Sequence, residues 1–167
     1  MEGGEMDLDP NPQSPVIKGP WTVIGHSYSC GIFWKRKKVD WRLPLQLLGR
    51  QPSGTMSIDM AQQQGRYRLY KGNKLIHFGA TEPDGLGKCL YQCTKNEFAH
   101  KWDHFSWLGL CPVNRDGSIG PPPKKANMDR LLSLIVAWTA YNDVGCGYWK
   151  VDIANAKLVR FKQVPTS

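Results

Sequence analysis

The chain lacks a long apolar run. Its longest, LLSLIVAW at 131–138, is far too short to cross a bilayer. The N-terminus is acidic and proline-rich, without the apolar stretch of a secretory leader. Cysteine is sparse: five residues, an odd number, which argues against a disulfide framework. No internal repeat is visible. These absences predict a cytoplasmic protein with reduced thiols and no membrane partner.

Two reaction motifs are missing as well. GHSYS (25–29) ends in Ser29, where a nucleophile elbow needs Gly for its sharp turn. DGLGKC (84–89) lacks the G-x4-G-K spacing of an ATPase phosphate loop, and Cys89 stands where a Mg²⁺-binding Ser or Thr belongs. Gly85 and Gly87 nonetheless predict backbone N–H groups open to an anion at a helix start.

Positive charge is plentiful. The 167 residues carry a net +8. Residues 1–19 hold Glu2, Glu5, Asp7 and Asp9 against Lys18, so the rest of the chain carries +11. A basic body of this size favours a polyanion or an acidic protein surface. Residues 1–18 have too few large apolar groups to offset the entropy of ordering and read as a disordered acidic tail. An N-terminal extension follows over 19–64, and the main domain over 65–167.

The extension contains FWKRKKVDWR (33–42), which interleaves Phe33, Trp34 and Trp41 with Lys35, Arg36, Lys37, Lys38 and Arg42. Cations that neutralise phosphates and aromatics that stack on bases suit a nucleic-acid surface. A strand with its rings in the core and its lysines in water explains the pattern equally well. RLPLQLLGRQPSG (42–54) is punctuated by Pro and Gly and predicts a connector.

From Gly65 the pattern sharpens. GRYRLYKGNKLIHFGA (65–80) predicts a hairpin turning at KGNK. GLGKCLYQCTKNEF (85–98) predicts a helix with Leu86, Leu90 and Cys93 near one face. KWDHFSWLGLCPV (101–113) predicts a strand whose Trp102, Phe105 and Trp107 belong to the core. NRDGSIGPPPKK (114–125) is a loop. NMDRLLSLIVAWTAYN (127–142) predicts the strongest helix, capped by Asn127. GYWKVDIANAKLVRFKQV (147–164) predicts a strand pair around NAK. Cys89 and Cys93, with His77 nearby, have part of a zinc ligand set, but Cys-x3-Cys alone favours packed thiols. No metal site is predicted.

In order and spacing these segments resemble the GIY-YIG nuclease domain, over roughly 65–150 and extending back to 33. Gly65-Arg66-Tyr67 stands at the family's Gly-Ile-Tyr and His77-Phe78-Gly79 at its Tyr-Ile-Gly, with the aromatic positions 10 residues apart. GKCLYQC (87–93) matches its helix motif G-x-R-L-x-x-H. DHFSWLG (103–109) is similar to a strand in one bacterial branch. Ser133 falls at the metal-binding Glu and Asn142 at the following Asn. The resemblance implies an α/β fold: a small, mostly antiparallel three-stranded sheet flanked by helices.

The resemblance also implies hydrolysis of one DNA strand, with a tyrosine activating water, a metal on the Glu and an Arg on the phosphate. This chain keeps Tyr67 and Asn142. It has Cys89 for the Arg, Cys93 for the helix His, His77 for the second Tyr and Ser133 for the Glu. A thiol cannot supply the bidentate cation, and serine is a poor Mg²⁺ anchor. Loss of one electrostatic donor costs ~10²–10³ in rate, so loss of both predicts a scaffold that binds nucleic acid, DNA first, without cutting it. The candidate contacts are Lys35, Arg36, Lys37, Lys38, Arg66, Arg68, Lys71, Lys88, Lys124 and Lys125. No cofactor is expected unless cleavage persists, in which case Mg²⁺ is. One alternative is a protein-binding module that uses the former nuclease face to recruit or inhibit a partner. Another is a residual metal-dependent nuclease using Tyr67, His77 and Asp129.

Overall fold

A computed structural model of the chain describes residues 27–51, 54–81, 83–123, 152–153 and 156–167. Their fold is mixed α/β. Strand β1 (Ser27–Lys35) runs into a 3₁₀ turn at Arg36–Lys38; β2 (Leu48–Arg50), β3 (Ser57–Asp59), β4 (Gly65–Lys71) and β5 (Lys74–Ala80) follow. Helix α1 (Leu86–Cys93) precedes β6 (His104–Gly109), and β7 (Asp152–Ile153), β8 (Ala156–Arg160) and β9 (Lys162–Gln163) close the chain.

The expected three-stranded antiparallel sheet exists only as one end of a larger one. The main sheet has six strands in the order β5-β4-β6-β1-β8-β7. The first four are mutually antiparallel, and β8 runs parallel to β1. The extension therefore supplies an internal strand, β1. The stretch 42–54 is likewise more than a connector: it holds β2, the centre of a second sheet ordered β3-β2-β9. Both surprises depend on pairing between distant segments, to which local pattern is blind.

The expected hairpin forms, with Gly72 at φ 60 in its turn. α1 forms but stops at Cys93, and the strand pair around NAK forms as β7 and β8. Of the helices expected to flank the sheet, α1 is the one among the described residues. The expected helix over 127–142 lies outside them, as does the tail over 1–18.

The main hydrophobic cluster lies on one face of the main sheet, while Cys30, Arg68, Tyr70, Ser106 and Leu108 are buried on the other. Tyr67 and Leu69 of β4 stand opposite Trp107 and Phe105 of β6, and Trp34 of β1 opposite Phe105. Leu86, Leu90 and Cys93 cover this face from α1. Trp102, Phe105 and Trp107 are buried, as the sequence predicts. A bulge between Gly31 and Trp34 carries Phe33 at φ 51, an uncommon conformation for a side-chain-bearing residue. The extra residue turns Trp34 onto the core face. Ser106 Oγ accepts the Phe33 N–H at 2.9 Å, and the Phe33 ring packs 4.7 Å from Tyr70.

The C-terminus fixes the basic segment. Gln163 Oε1 accepts the Lys35 N–H at 2.7 Å, and its Nε2 donates to the Lys35 carbonyl at 3.0 Å. Thr166 Oγ1 accepts from the Asp40 N–H at 2.8 Å, and the Thr166 N–H donates to the Lys38 carbonyl at 2.9 Å. Residues 35–40 are thus a tied-down surface feature. Among the described residues no helix is long and apolar enough to cross a membrane.

Candidate functional site

Two regions collect the predicted residues. The first is the face between the β4–β5 hairpin and α1. Alternation along the strands puts Tyr67, His77 and Gly79 on the same face, because Tyr67 pairs with Gly79 and Leu69 with His77. The Tyr67 hydroxyl lies 3.4 Å from His77 Nε2 and 3.6 Å from Cys93 Sγ. His77 stacks on Phe98 with ring centroids 4.4 Å apart. Trp102 Nε1 donates to the Cys93 carbonyl at 3.0 Å, pinning the end of α1. Cys89 points elsewhere: its Sγ lies 3.8 Å from the Thr81 carbonyl and 4.0 Å from that of Ala80.

The electrostatics of this face are muted. Burial, then the hydrogen bond with Cys93, pushes the Tyr67 phenol well above its ordinary value. Burial likewise pushes the Cys93 thiol up. Tyr67 and Cys93 are therefore neutral at neutral pH, and the Cys89 side chain brings no positive charge to a phosphate. Among the described residues no three His, Cys, Asp or Glu side chains are grouped to hold a metal ion. Ser133, Asn142 and Asp129 lie outside the described residues.

The start of α1 is not an open anion site. Gly85 sits at φ 98, and its N–H donates to the Thr81 carbonyl at 2.8 Å. The N–H groups of Leu86 and Gly87 donate to the carbonyls of Gln63 and Ala61, each at 2.8 Å. Thr81 takes up the Gly85 donor and the loop before β4 that of Gly87, the two that the glycines were expected to leave open.

The second region is a cleft of about 560 Å³ at the end of the sheet where β1 finishes and β6 begins. Lys35, Arg36, Lys37, Val39, Trp41, Asp103 and His104 line it. Lys35 and Lys37 are exposed. Arg36 is fixed: its guanidinium lies 4.4 Å over the Trp102 ring, and Nη1 donates to the Trp102 carbonyl at 3.1 Å. Burial lowers its pKa, yet a guanidinium stays protonated in proteins. Trp41 Nε1 donates to the Arg36 carbonyl at 3.0 Å. Asp103 accepts from His104 Nδ1 at 2.7 Å and from the Gly72 N–H at 2.9 Å, with Lys71 Nζ 3.9 Å away. The His104 contact, first among these, holds the Asp103 carboxyl below its usual range.

The predicted cations do not form one surface. Lys35, Arg36, Lys37 and Lys71 gather at this end of the sheet, and Lys38 joins them by adjacency in the 3₁₀ turn. Arg66 lies towards the opposite end, where Nη1 donates to the Gly65 carbonyl at 2.9 Å. Lys88, on α1, pairs with Asp84 at 3.6 Å. Arg68 is buried, 4% exposed, with its guanidinium 5.4 Å over the Phe78 ring, which removes it from the solvent-facing set. Lys124 and Lys125 lie outside the described residues. Asp103 and His104 were not among the residues the sequence suggested. DHF reads as the start of a strand, and only the β1–β6 register sets His104 opposite Lys35.

The chain matches no family model, no curated protein and no solved structure.

Proposed function

We propose that this protein binds nucleic acid, DNA first, on a GIY-YIG-like scaffold that has lost the chemistry of strand cleavage. The observation that carries the reading is the cluster of Lys35, Arg36 and Lys37 around one cleft, held in place by the C-terminal residues. A fixed group of cations on a body of this charge suits a phosphate backbone. The scaffold part is supported by the convergence of Tyr67, His77 and Cys93, three positions that the family motifs pick out. The loss of chemistry is supported by Cys89, whose sulfur lies against a peptide carbonyl where a nuclease would hold a cation to a phosphate. A reducing, cytoplasmic setting belongs to the same reading.

A second reading, a protein-binding module, draws on Leu75 and Phe78. They are 43% and 44% exposed on β5, one of the two edge strands of the main sheet among the described residues. An exposed edge with apolar side chains is a template for strand addition.

Incubating the full chain with labelled single-stranded and duplex DNA in Mg²⁺ or Mn²⁺ tests the proposal. Retarded but intact DNA is expected. Metal-dependent cutting that Tyr67→Phe abolishes would establish the residual nuclease instead.

A further inference from the structure

We propose that the cleft beside the 3₁₀ turn seats one unpaired nucleotide of a single-stranded nucleic acid, with the base against Trp41 and the flanking phosphates on Lys35 and Lys37. This rests on the nucleic-acid reading above and adds the surface and the strandedness of the ligand.

The volume, about 560 Å³, falls within the ~300–1,000 Å³ range of sites that enclose a small ligand. The indole-bearing Trp41 lines it and is preorganised. Trp41 meets Trp102 and Phe105 in T-shaped contacts, with centroids 5.8 Å and 6.4 Å apart, and the hydrogen bond to Arg36 fixes its rotation. It is half-buried and lines the cleft. A flat ring flanked by exposed lysines is the arrangement that takes a base face and its backbone together. Duplex DNA offers base edges in its grooves, and its base faces are already stacked, so it cannot use Trp41 in this way.

One acid lines the same cleft. Asp103 would repel a phosphate, but its carboxylate is already engaged by His104, the Gly72 N–H and Lys71. Three permanent cations therefore face one compensated acid. An acidic peptide would satisfy the lysines but would leave the tryptophan face without a partner, which is why a base is favoured.

The test uses the full chain and four probes: a labelled oligo-dT, a single-stranded RNA of equal length, a DNA duplex and a poly-glutamate peptide. Salt series are run on the parent, on Lys35→Ala/Lys37→Ala and on Trp41→Ala. The single strands should bind more tightly than the duplex. The double lysine variant should lower the log–log salt slope by about 1.4, two phosphate contacts at about 0.7 each on a single strand. Trp41→Ala should weaken single-strand binding by roughly 5- to 150-fold and leave the duplex nearly unchanged. Because Trp41 also packs on the core, Trp41→Phe and thermal melts accompany it; the phenyl ring should recover part of the loss. Similar behaviour of DNA and RNA single strands supports recognition of base and phosphate alone, and a preference for either names the source. Parent-like slopes in the lysine variant, equal losses on duplex and single strand, or poly-glutamate competing as well as oligo-dT would each overturn the proposal. A parent that binds nucleic acid while these variants do not differ from it sinks this inference alone. A parent that binds none sinks the broader reading too.

Discussion

The ring of Tyr67 occupies the space that a side chain at Gly79 would need. A β-carbon there would come 2.5 Å from both Cζ and the hydroxyl oxygen of Tyr67. The two residues are direct partners across the β4–β5 hairpin, so the glycine is what lets the phenol lie flat towards His77 and Cys93. Gly79→Ala should therefore displace the Tyr67 ring and cost about 1–3 kcal/mol, the usual range for overpacking. Urea unfolding gives the cost, and the aromatic NMR signals of Tyr67 report the displacement.

Gly31 has the same role deeper in the molecule. A β-carbon there would lie 2.6 Å from two atoms of the Trp34 indole, and Trp107 crowds it further. Both tryptophans are buried, 3% and 0% exposed, and neither can swing into water. Gly31→Ala should cost more than Gly79→Ala, at the upper end of the ~1–3 kcal/mol range or beyond it. Parallel urea midpoints compare the two.

Alkaline pH should weaken the fold through Cys30 and Tyr67. Burial pushes the Cys30 thiol up from 9.0 to about 12, with Arg160 opposing weakly, and burial also raises Tyr67. An acid whose folded pKa is raised stabilises the native state below its unfolded pKa and loses that contribution as pH climbs towards the folded value. Stability should hold to about pH 9 and fall between pH 9 and about 12. Chemical denaturation at stepped pH checks this, and Cys30→Ala, less stable at neutrality, should show a shallower decline.

Much of this architecture was legible in the sequence. The KGNK hairpin, the helix expected over GLGKCLYQCTKNEF and the aromatic strand expected over KWDHFSWLGLCPV carry their own local signals, and each forms, the helix and the strand shorter than expected. The rest is long-range. β2 and β3 are three residues each, too short for a period, and form because each finds partners elsewhere in the chain. β1 gains its place from β6 on one side and β8 on the other. The basic cluster was visible as a run of letters. Which of its members face water was not, because the alternation in β1 changes phase at the Phe33 bulge. The mixture of roles follows: Trp34 enters the core, Lys35 and Lys37 stay in solvent, and Arg36 lies over Trp102.

Gln63 closes the loop before β4 against the end of β6. Its Nε2 donates to the Cys111 carbonyl at 2.9 Å and to Ser29 Oγ at 3.2 Å, and its Oε1 accepts the Cys111 N–H at 3.0 Å. All of this is buried. Gln63→Leu would remove these three buried hydrogen bonds, at about 1 kcal/mol each. A lowered thermal midpoint and faster amide exchange at Cys111 are expected.

Asp103 is the acid of the cleft. Asp103→Asn keeps an oxygen for the Gly72 N–H and removes the charge. Single-strand affinity should rise about fivefold at low salt, the effect of one charge near a surface. The gain should fade as salt is added. Fluorescence anisotropy on the variant and the parent measures it.

Binding to nucleic acid is open to a single titration. Labelled single-stranded and duplex DNA are titrated with the full chain at several salt concentrations from about 20 to about 200 mM, without added metal. Micromolar or tighter binding is expected at low salt, weakening linearly on a log–log plot with a slope that counts phosphate contacts. No binding of either DNA at the lowest salt would contradict it and would turn the basic face towards a protein partner.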